Sequence, residues 1–209
     1  MVNIITYWFN DWCGNLGPFY AFMLHESLKK NITIPFDFNC FTDSTNRLSI
    51  PTIEFTPKFK WNLNKFEVFD PKYGLQGKVL ILDLDLLILK NIDDIVNFSE
   101  EFITCEGAYC SNKAGGSIVG TTIDYGYRYI WKPLIDSPNK VTLMTGGSER
   151  MFYRLYLNNI KFFQDKYPGI YSYKKDVKDD QMPKDTRILR WHGDPRPHKT
   201  TLYRKLVSY

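Results

Sequence analysis

Asp83 and Asp85 stand two residues apart in a run that is otherwise apolar: Val79-Leu80-Ile81-Leu82-Asp83-Leu84-Asp85-Leu86-Leu87-Ile88-Leu89. The run has no polar–apolar alternation, so it reads as one strand buried on both faces, as in a parallel sheet. Side chains two apart on a strand point the same way, which sends both carboxylates to one side. Two like charges in an apolar wall repel each other and lose hydration, at a cost of several kcal/mol. A bound divalent cation would offset that cost. The other reading is a strand end whose aspartates cap a turn or a helix. A second polar cluster lies near the C-terminus: Trp191-His192-Gly193-Asp194-Pro195-Arg196-Pro197-His198. Its prolines stiffen the loop, and Gly193 lets backbone approach a ligand closely. His192 offers an imidazole, and Arg196 a planar cation matched to phosphate. Read singly, they are a loop histidine and a surface charge. Read with the aspartates, two carboxylates and an imidazole suit Mn²⁺ or Mg²⁺ better than a structural zinc.

The elements that must position these groups alternate in the first half. Ile4 to Phe9 is strand-like, and Phe19 to Lys30 has helical spacing, with Pro18 suited to a first turn. Ile34 to Phe41 and Pro51 to Phe55 read as strands, and Asn62 to Phe69 as a helical turn or two. The strand at 79–89 follows, then a short helix for which Asn91 is the expected N-cap. This rhythm predicts an α/β fold of Rossmann type, a mostly parallel sheet flanked by helices, with ligands at the carboxyl ends of the strands. In the second half, strands are expected at Phe102 to Cys105, Ser117 to Gly120, Ile170 to Tyr173 and Ile188 to Trp191. Helices are expected at Tyr125 to Ile135 and Glu149 to Leu157. Thr200 to Tyr209 stops without an end signal, so the chain could be one domain of a longer product.

Composition narrows the class. The 209 residues fit a single domain, and 44% hydrophobic and 16% aromatic content supply a core. A net charge of +4 without any dense Lys/Arg run fits a small anionic ligand and argues against nucleic acid. Cys13, Cys40, Cys105 and Cys110 form no Cys-x-x-Cys pair and read as free thiols of a reducing compartment. The N-terminus reads as a strand and not as a signal peptide. No apolar stretch reaches the length of about 18 residues that a membrane span needs. A cytoplasmic protein is the expectation.

The stretch from Lys78 to Val96, with Asp83-Leu84-Asp85 followed by an apolar strand and Asn91-Ile92-Asp93-Asp94, resembles the metal-binding segment of GT-A glycosyltransferases. It is most similar to the glycogenin-like retaining transferases of family 8. The loop from His192 to Pro197 resembles that family's His-x-Gly-x-x-Lys-Pro region, with Arg196 for the lysine and the spacing shifted by one. Three weaker likenesses occur in the same order: Asn10-Asp11 after the first strand, Lys65 in a helix upstream of the metal strand, and Ser172-Tyr173-Lys174 before the last strand. The small size is similar to that of compact glycosyltransferase domains of large algal viruses, which would place the protein in a host cytoplasm. The chain departs from the family where its Gly-Asp-Gln motif becomes Gly146-Gly147-Ser148-Glu149-Arg150, and where its Asn-Ser-Gly strand becomes Gly115-Gly116-Ser117.

The resemblance implies one GT-A domain over 1–209, with a nucleotide-binding half to about residue 100 and a sugar and acceptor half beyond it. It implies transfer of a sugar from a UDP-sugar to a hydroxyl of a carbohydrate or glycoprotein, with retention of configuration. Asp83, Asp85 and His192 would hold the cation, Mn²⁺ or Mg²⁺. Arg196, the Gly193 N–H and Lys65 would face the leaving diphosphate. Thr6, Tyr7, Asn10, Asp11 and Trp12 would line the uridine, Gly116 and Ser117 the donor sugar, and Glu149 the reacting carbon. Glu149 also reads as a first-turn helix acid favoured by the dipole. Two other classes fit the same residues: a metal-dependent nucleotidyltransferase or nucleotide-sugar hydrolase, and a carbohydrate-binding scaffold without catalysis.

Overall fold

The computed structural model describes residues 1–9, 13–14, 16–59, 61–107, 114–137 and 160–207. Strand β1 (Val2–Trp8), helix α1 (Leu16–Asn31) and strand β2 (Phe36–Thr42) form a crossover unit. Helix α1 turns Gly17, Tyr20, Ala21, Leu24 and Leu28 inward, one face at helical spacing, and ends on Lys29 and Lys30, the charge its carboxyl terminus favours. β1 and β2 run parallel, and β3 (Thr52–Glu54) adds in parallel outside β2. The chain then returns to the other side of β1, where β4 (Lys78–Leu82) pairs in parallel from Val2↔Lys78 to Ile5↔Ile81. After β5 (Leu86–Ile88) and helix α2 (Asp93–Val96), strands β6 (Phe102–Glu106) and β7 (Ala114–Thr122) pair antiparallel, and β7 also pairs antiparallel with β4. β8 (Lys161–Phe162) joins β6 in parallel. Among the described residues the order is β3-β2-β1-β4-β7-β6-β8. A smaller sheet carries β5, β9 (Ile170–Ser172) and β10 (Ile188–Arg190), with β10 in the middle.

The large sheet is buried on both faces, which explains why its strands read as continuous apolar runs. On one side Ile4, Trp8, Phe38, Cys40, Leu80 and Leu82 pack with α1 and the small sheet. On the other, Ile5, Phe41, Val79, Ile81 and Val119 pack against the 3-10 helix Trp61–Phe69 and the helices after β7. Those helices are α3 (Ile123–Gly126), a π-helical turn Tyr127–Trp131 and α4 (Lys132–Asp136), where a single helix from Tyr125 was expected.

The expectation of one strand over 79–89 is corrected. β4 stops at Leu82 and β5 starts at Leu86 in a different sheet, so Asp83-Leu84-Asp85 is a crossing between sheets. The reason is electrostatic: a strand buried on both faces has no place for two carboxylates, whereas the crossing between two sheets leaves Asp83 partly exposed and gives both acids a cationic partner. The apolar residues on either side, all buried from Val79 to Leu82 and from Leu86 to Ile88, remain strand. Asn91 acts one residue further out than a true N-cap: Ile92 holds the cap position, and the Asn91 side chain accepts from the Asp93 N–H at 3.1 Å. The C-terminal segment forms a helix, Thr201–Val207. The expected helix from Glu149 to Leu157 lies outside the described residues.

Two consequences can be measured. A Cβ at Gly126 would stand 2.1 Å from the ring of Phe69, the last residue of the 3-10 helix, so Gly126→Ala forces α3 and that helix apart. Urea unfolding should show a loss of about 1–3 kcal/mol, the usual cost of overpacking. Asp93 is held down to about 2 by hydrogen bonds from the Asn91 and Thr33 side chains. A depressed carboxylate contributes stability above its unfolded pKa, about 3.9, and loses it as pH falls through the folded value. Urea midpoints of Asp93→Asn should therefore fall less steeply than those of the parent as the pH is lowered from about 4 towards about 2.

Candidate active site

The order of strands reverses between β1 and β4: the chain goes outward from β1 to β2 and β3, then resumes on the opposite side at β4. Open α/β sheets bind ligands outside the carboxyl ends of the strands at such a point. Here those ends are Trp8 and Leu82, and Asp83 follows at once. The Thr6 hydroxyl donates to the Leu82 carbonyl at 2.8 Å and closes the sheet just beneath the crevice. Thr6 is fully buried, and its hydroxyl serves as this clamp.

The Asp-Leu-Asp crossing is tied at both ends. The Asp83 N–H donates to the Ser117 carbonyl at 2.9 Å, one step beyond the β4–β7 ladder. The Asp85 carbonyl accepts from the Trp191 N–H at 2.8 Å, one step before the β5–β10 ladder. Leu84, between them, is buried in the core. The two side chains differ in access: Asp83 is 37% exposed and Asp85 is 10% exposed.

Cations converge on this pair. Lys65, buried in the 3-10 helix, reaches Asp83 Oδ1 at 2.6 Å and the Gly116 carbonyl at 2.7 Å through the same Nζ. Arg196 Nη1 stands 3.5 Å from Asp85 Oδ2. These charges do not fully compensate Asp85: burial first, and the Asp83 charge second, push its carboxyl up to about 7. Removal from water therefore outweighs the nearby guanidinium.

The loop after β10 is held from several sides. Lys199 pairs with Asp194 at 2.9 Å, and the Lys199 and Thr200 N–H groups donate to the Arg196 and Pro197 carbonyls. The Tyr20 hydroxyl of α1 lies 2.5 Å from His198 Nδ1 and anchors the loop to the core. Gly193 has φ of 64°, the left-handed conformation that favours glycine. His192 Nε2 lies 2.9 Å from the Ser172 hydroxyl at the end of β9. Burial, then the charges of Arg190 and Lys174, lower its pKa to about 4, so the ring is neutral at physiological pH. Among the described residues, no group of three or more His, Cys, Asp or Glu side chains is gathered closely enough to hold a metal ion. Asp83, Asp85 and His192 line one region, but Lys65 engages the first and Ser172 the last.

Other expected residues fall as follows. Gly116 contributes its carbonyl to Lys65, and the Ser117 hydroxyl lies 3.1 Å from both Cys105 Sγ and Arg190 Nη1. The Tyr7 ring packs 5.2 Å from Phe41 and 5.9 Å from Phe55, and burial pushes its hydroxyl well above the usual range. The ring is partly buried against the core on this face of the sheet. Asn10, Asp11, Trp12 and Glu149 lie outside the described residues. Arg190 was not foreseen. It is buried at the end of β10, and its Nη1 donates to the Glu106 carbonyl at 2.9 Å as well as to Ser117. A lone charge in the apolar stretch Ile188-Leu189-Arg190-Trp191 is the signal that reveals it, the same kind that marks Asp83 and Asp85.

No family profile matches the chain, and no curated protein sequence matches it. Solved structures do. The glycosyltransferase GlyE of Streptococcus pneumoniae TIGR4, in its apo form and in a second crystal structure, superposes with a TM-score of 0.71 at 12% identity over 99% of this chain. The chain spans 59% of the length of GlyE. An active-site mutant of LgtC superposes with a TM-score of 0.69 at 10% identity, covering 99% of this chain and 94% of LgtC. At such identities the likeness establishes architecture: the chain has the GT-A fold of glycosyltransferases.

Proposed function

We propose that the protein is a glycosyltransferase that moves a sugar from a UDP-sugar to a hydroxyl of a glycan or glycoprotein, with retention at the anomeric carbon. The observation that carries this reading is the paired carboxylate of Asp83 and Asp85 at the switch point of a GT-A fold, ringed by Lys65 and Arg196. Paired acids with adjacent cations suit a ligand that is itself anionic and arrives with a divalent ion.

The donor types present suit Mn²⁺ or Mg²⁺, and the donors would have to close on the ion, since they are not gathered around a common point. Asp85 is under-compensated by its neighbours, and oxygen donors with one neutral imidazole are the set those ions favour. Asp83 and Asp85 would hold the ion, with His192 as third donor once it leaves Ser172. A bound ion of this kind supplies Lewis-acid neutralisation of the departing diphosphate. The chain's own groups do the rest. Lys65, fixed by the Gly116 carbonyl, orients Asp83. Arg196 and the Gly193 N–H are donors for the diphosphate, already in place before charge develops. Gly116 and Ser117, on the β6 side of Asp83, lie towards the transferred sugar. Asn10, Asp11 and Trp12 follow β1 in sequence and are assigned to the uridine, and Glu149 to the reacting carbon, where a carboxylate would support an oxocarbenium-like transition state.

UDP release from a panel of UDP-sugars, with Mn²⁺ and with a chelator, tests the reading. Turnover should need the metal, and Asp85→Ala should abolish it while leaving the circular-dichroism spectrum unchanged. A variant with the parent's rate would remove Asp85 from the site. Arg196→Ala should weaken UDP binding by about 1–2 kcal/mol, the worth of a charged hydrogen bond. Unchanged affinity would place Arg196 outside the diphosphate contact.

A further inference from the structure

Among the described residues, Arg190 is a buried guanidinium without an ion-paired acid. Only 4% of its surface is exposed, and neither carboxylate of the Asp pair is its ion-pair partner, these being taken by Lys65 and Arg196. Among the described residues its partners are two neutral acceptors on one nitrogen, the Glu106 carbonyl and the Ser117 hydroxyl, while its Nε is buried with no hydrogen-bond partner there. The nearest acid in sequence to those contacts, the Glu106 side chain, faces Lys175 at 3.8 Å. A buried charge with neutral partners alone costs several kcal/mol, and such groups are retained where something else uses the charge. A strut between strands would be served as well by a neutral donor.

Its position says which part of a ligand it meets. The strands run β1-β4-β7-β6 across the sheet. The Asp83 backbone is bonded to Ser117 of β7, and Arg190 touches Ser117 of β7 and Glu106 of β6. Arg190 is therefore on the side of the Asp pair away from β1, where the nucleoside is assigned. From this we infer that Arg190 is a specificity-determining residue that recognises a carboxylate on a sugar at the far end of the site, as in a hexuronic acid, in either the donor or the acceptor. This rests on the glycosyltransferase reading above. A guanidinium and a carboxylate match as a planar bidentate pair, which a neutral hexose cannot supply.

Calorimetry on the whole chain with Mn²⁺ separates the two sources. In the donor arm, UDP-glucuronic acid is compared with UDP-glucose. In the acceptor arm, with UDP present, methyl glucuronide is compared with methyl glucoside by saturation-transfer NMR. The acidic sugar should be preferred about tenfold in one arm, on the scale of a charged bidentate contact. That arm names the source, and Arg190→Gln should bring the ratio close to one, with Arg190→Lys between. The ratio in the parent protein decides the sugar class even where Arg190→Gln does not fold, and Arg190→Lys then decides the residue. UDP binding with no preference in either arm overturns this inference and leaves the transferase reading standing. A preference that survives both substitutions removes Arg190 from the role. Failure to bind UDP at all overturns both.

Discussion

Repulsion between Asp83 and the buried Asp85 is the constraint on which this end of the molecule depends. Neither carboxylate has a place inside a strand packed on both faces, and the chain answers by leaving one sheet at Leu82 and entering another at Leu86. The crossing is kept rigid by its own backbone, bonded to Ser117 on one side and Trp191 on the other. Two further elements are drawn in by charge. The 3-10 helix Trp61–Phe69 brings a buried lysine to Asp83, and the loop after β10 brings Arg196 to Asp85. The compensation is partial: burial and the neighbouring Asp83 charge push the Asp85 carboxyl up despite Arg196.

The two cores make that constraint bearable. The face of the large sheet that carries Val79 and Ile81 packs on the helix that holds Lys65, so the lysine is placed by Leu63, Phe66, Val68 and Phe69, which are buried around it. The opposite face packs on α1 and the small sheet, so the loop bearing Arg196 and His192 is seated by Trp191, Tyr20 and Tyr203. Apolar burial of this extent is far larger than the cost of the few charges it carries. Packing thus sets where the elements that carry these polar groups lie, and ion pairs between the groups complete the arrangement, as a preorganised electrostatic site requires.

Much of this was legible in the sequence. The crossover β1-α1-β2, the apolar frame of the Asp pair and the polar loop after β10 each follow from a pattern one residue type can reveal: period, capping, or a charge where none belongs. What was not legible depends on which sheet a strand joins. The run 79–89 has no Gly or Pro to mark a break, and only the placement of β10 against Leu86 to Ile88 divides it. Position at the end of β1 does not say which way a side chain turns: Tyr7 faces Phe41 and Phe55, and Thr6 the Leu82 carbonyl. Arg190 was legible by the rule that found the aspartates and was passed over because a single cation carries no motif. The antiparallel pairing of β7 with both β4 and β6 joins residues up to 44 positions apart in sequence, as in Lys78↔Thr122, and no local pattern announces it.

We propose that the Asp83 and Asp85 pair seats a metal ion and a uridine diphosphate together. Titration calorimetry of the purified protein with UDP, with and without Mn²⁺ and beside GDP as control, tests it most directly. The account predicts that UDP binds in the presence of Mn²⁺, binds far more weakly without it, and is preferred to GDP. Binding of neither nucleotide, or binding indifferent to the metal, would contradict it.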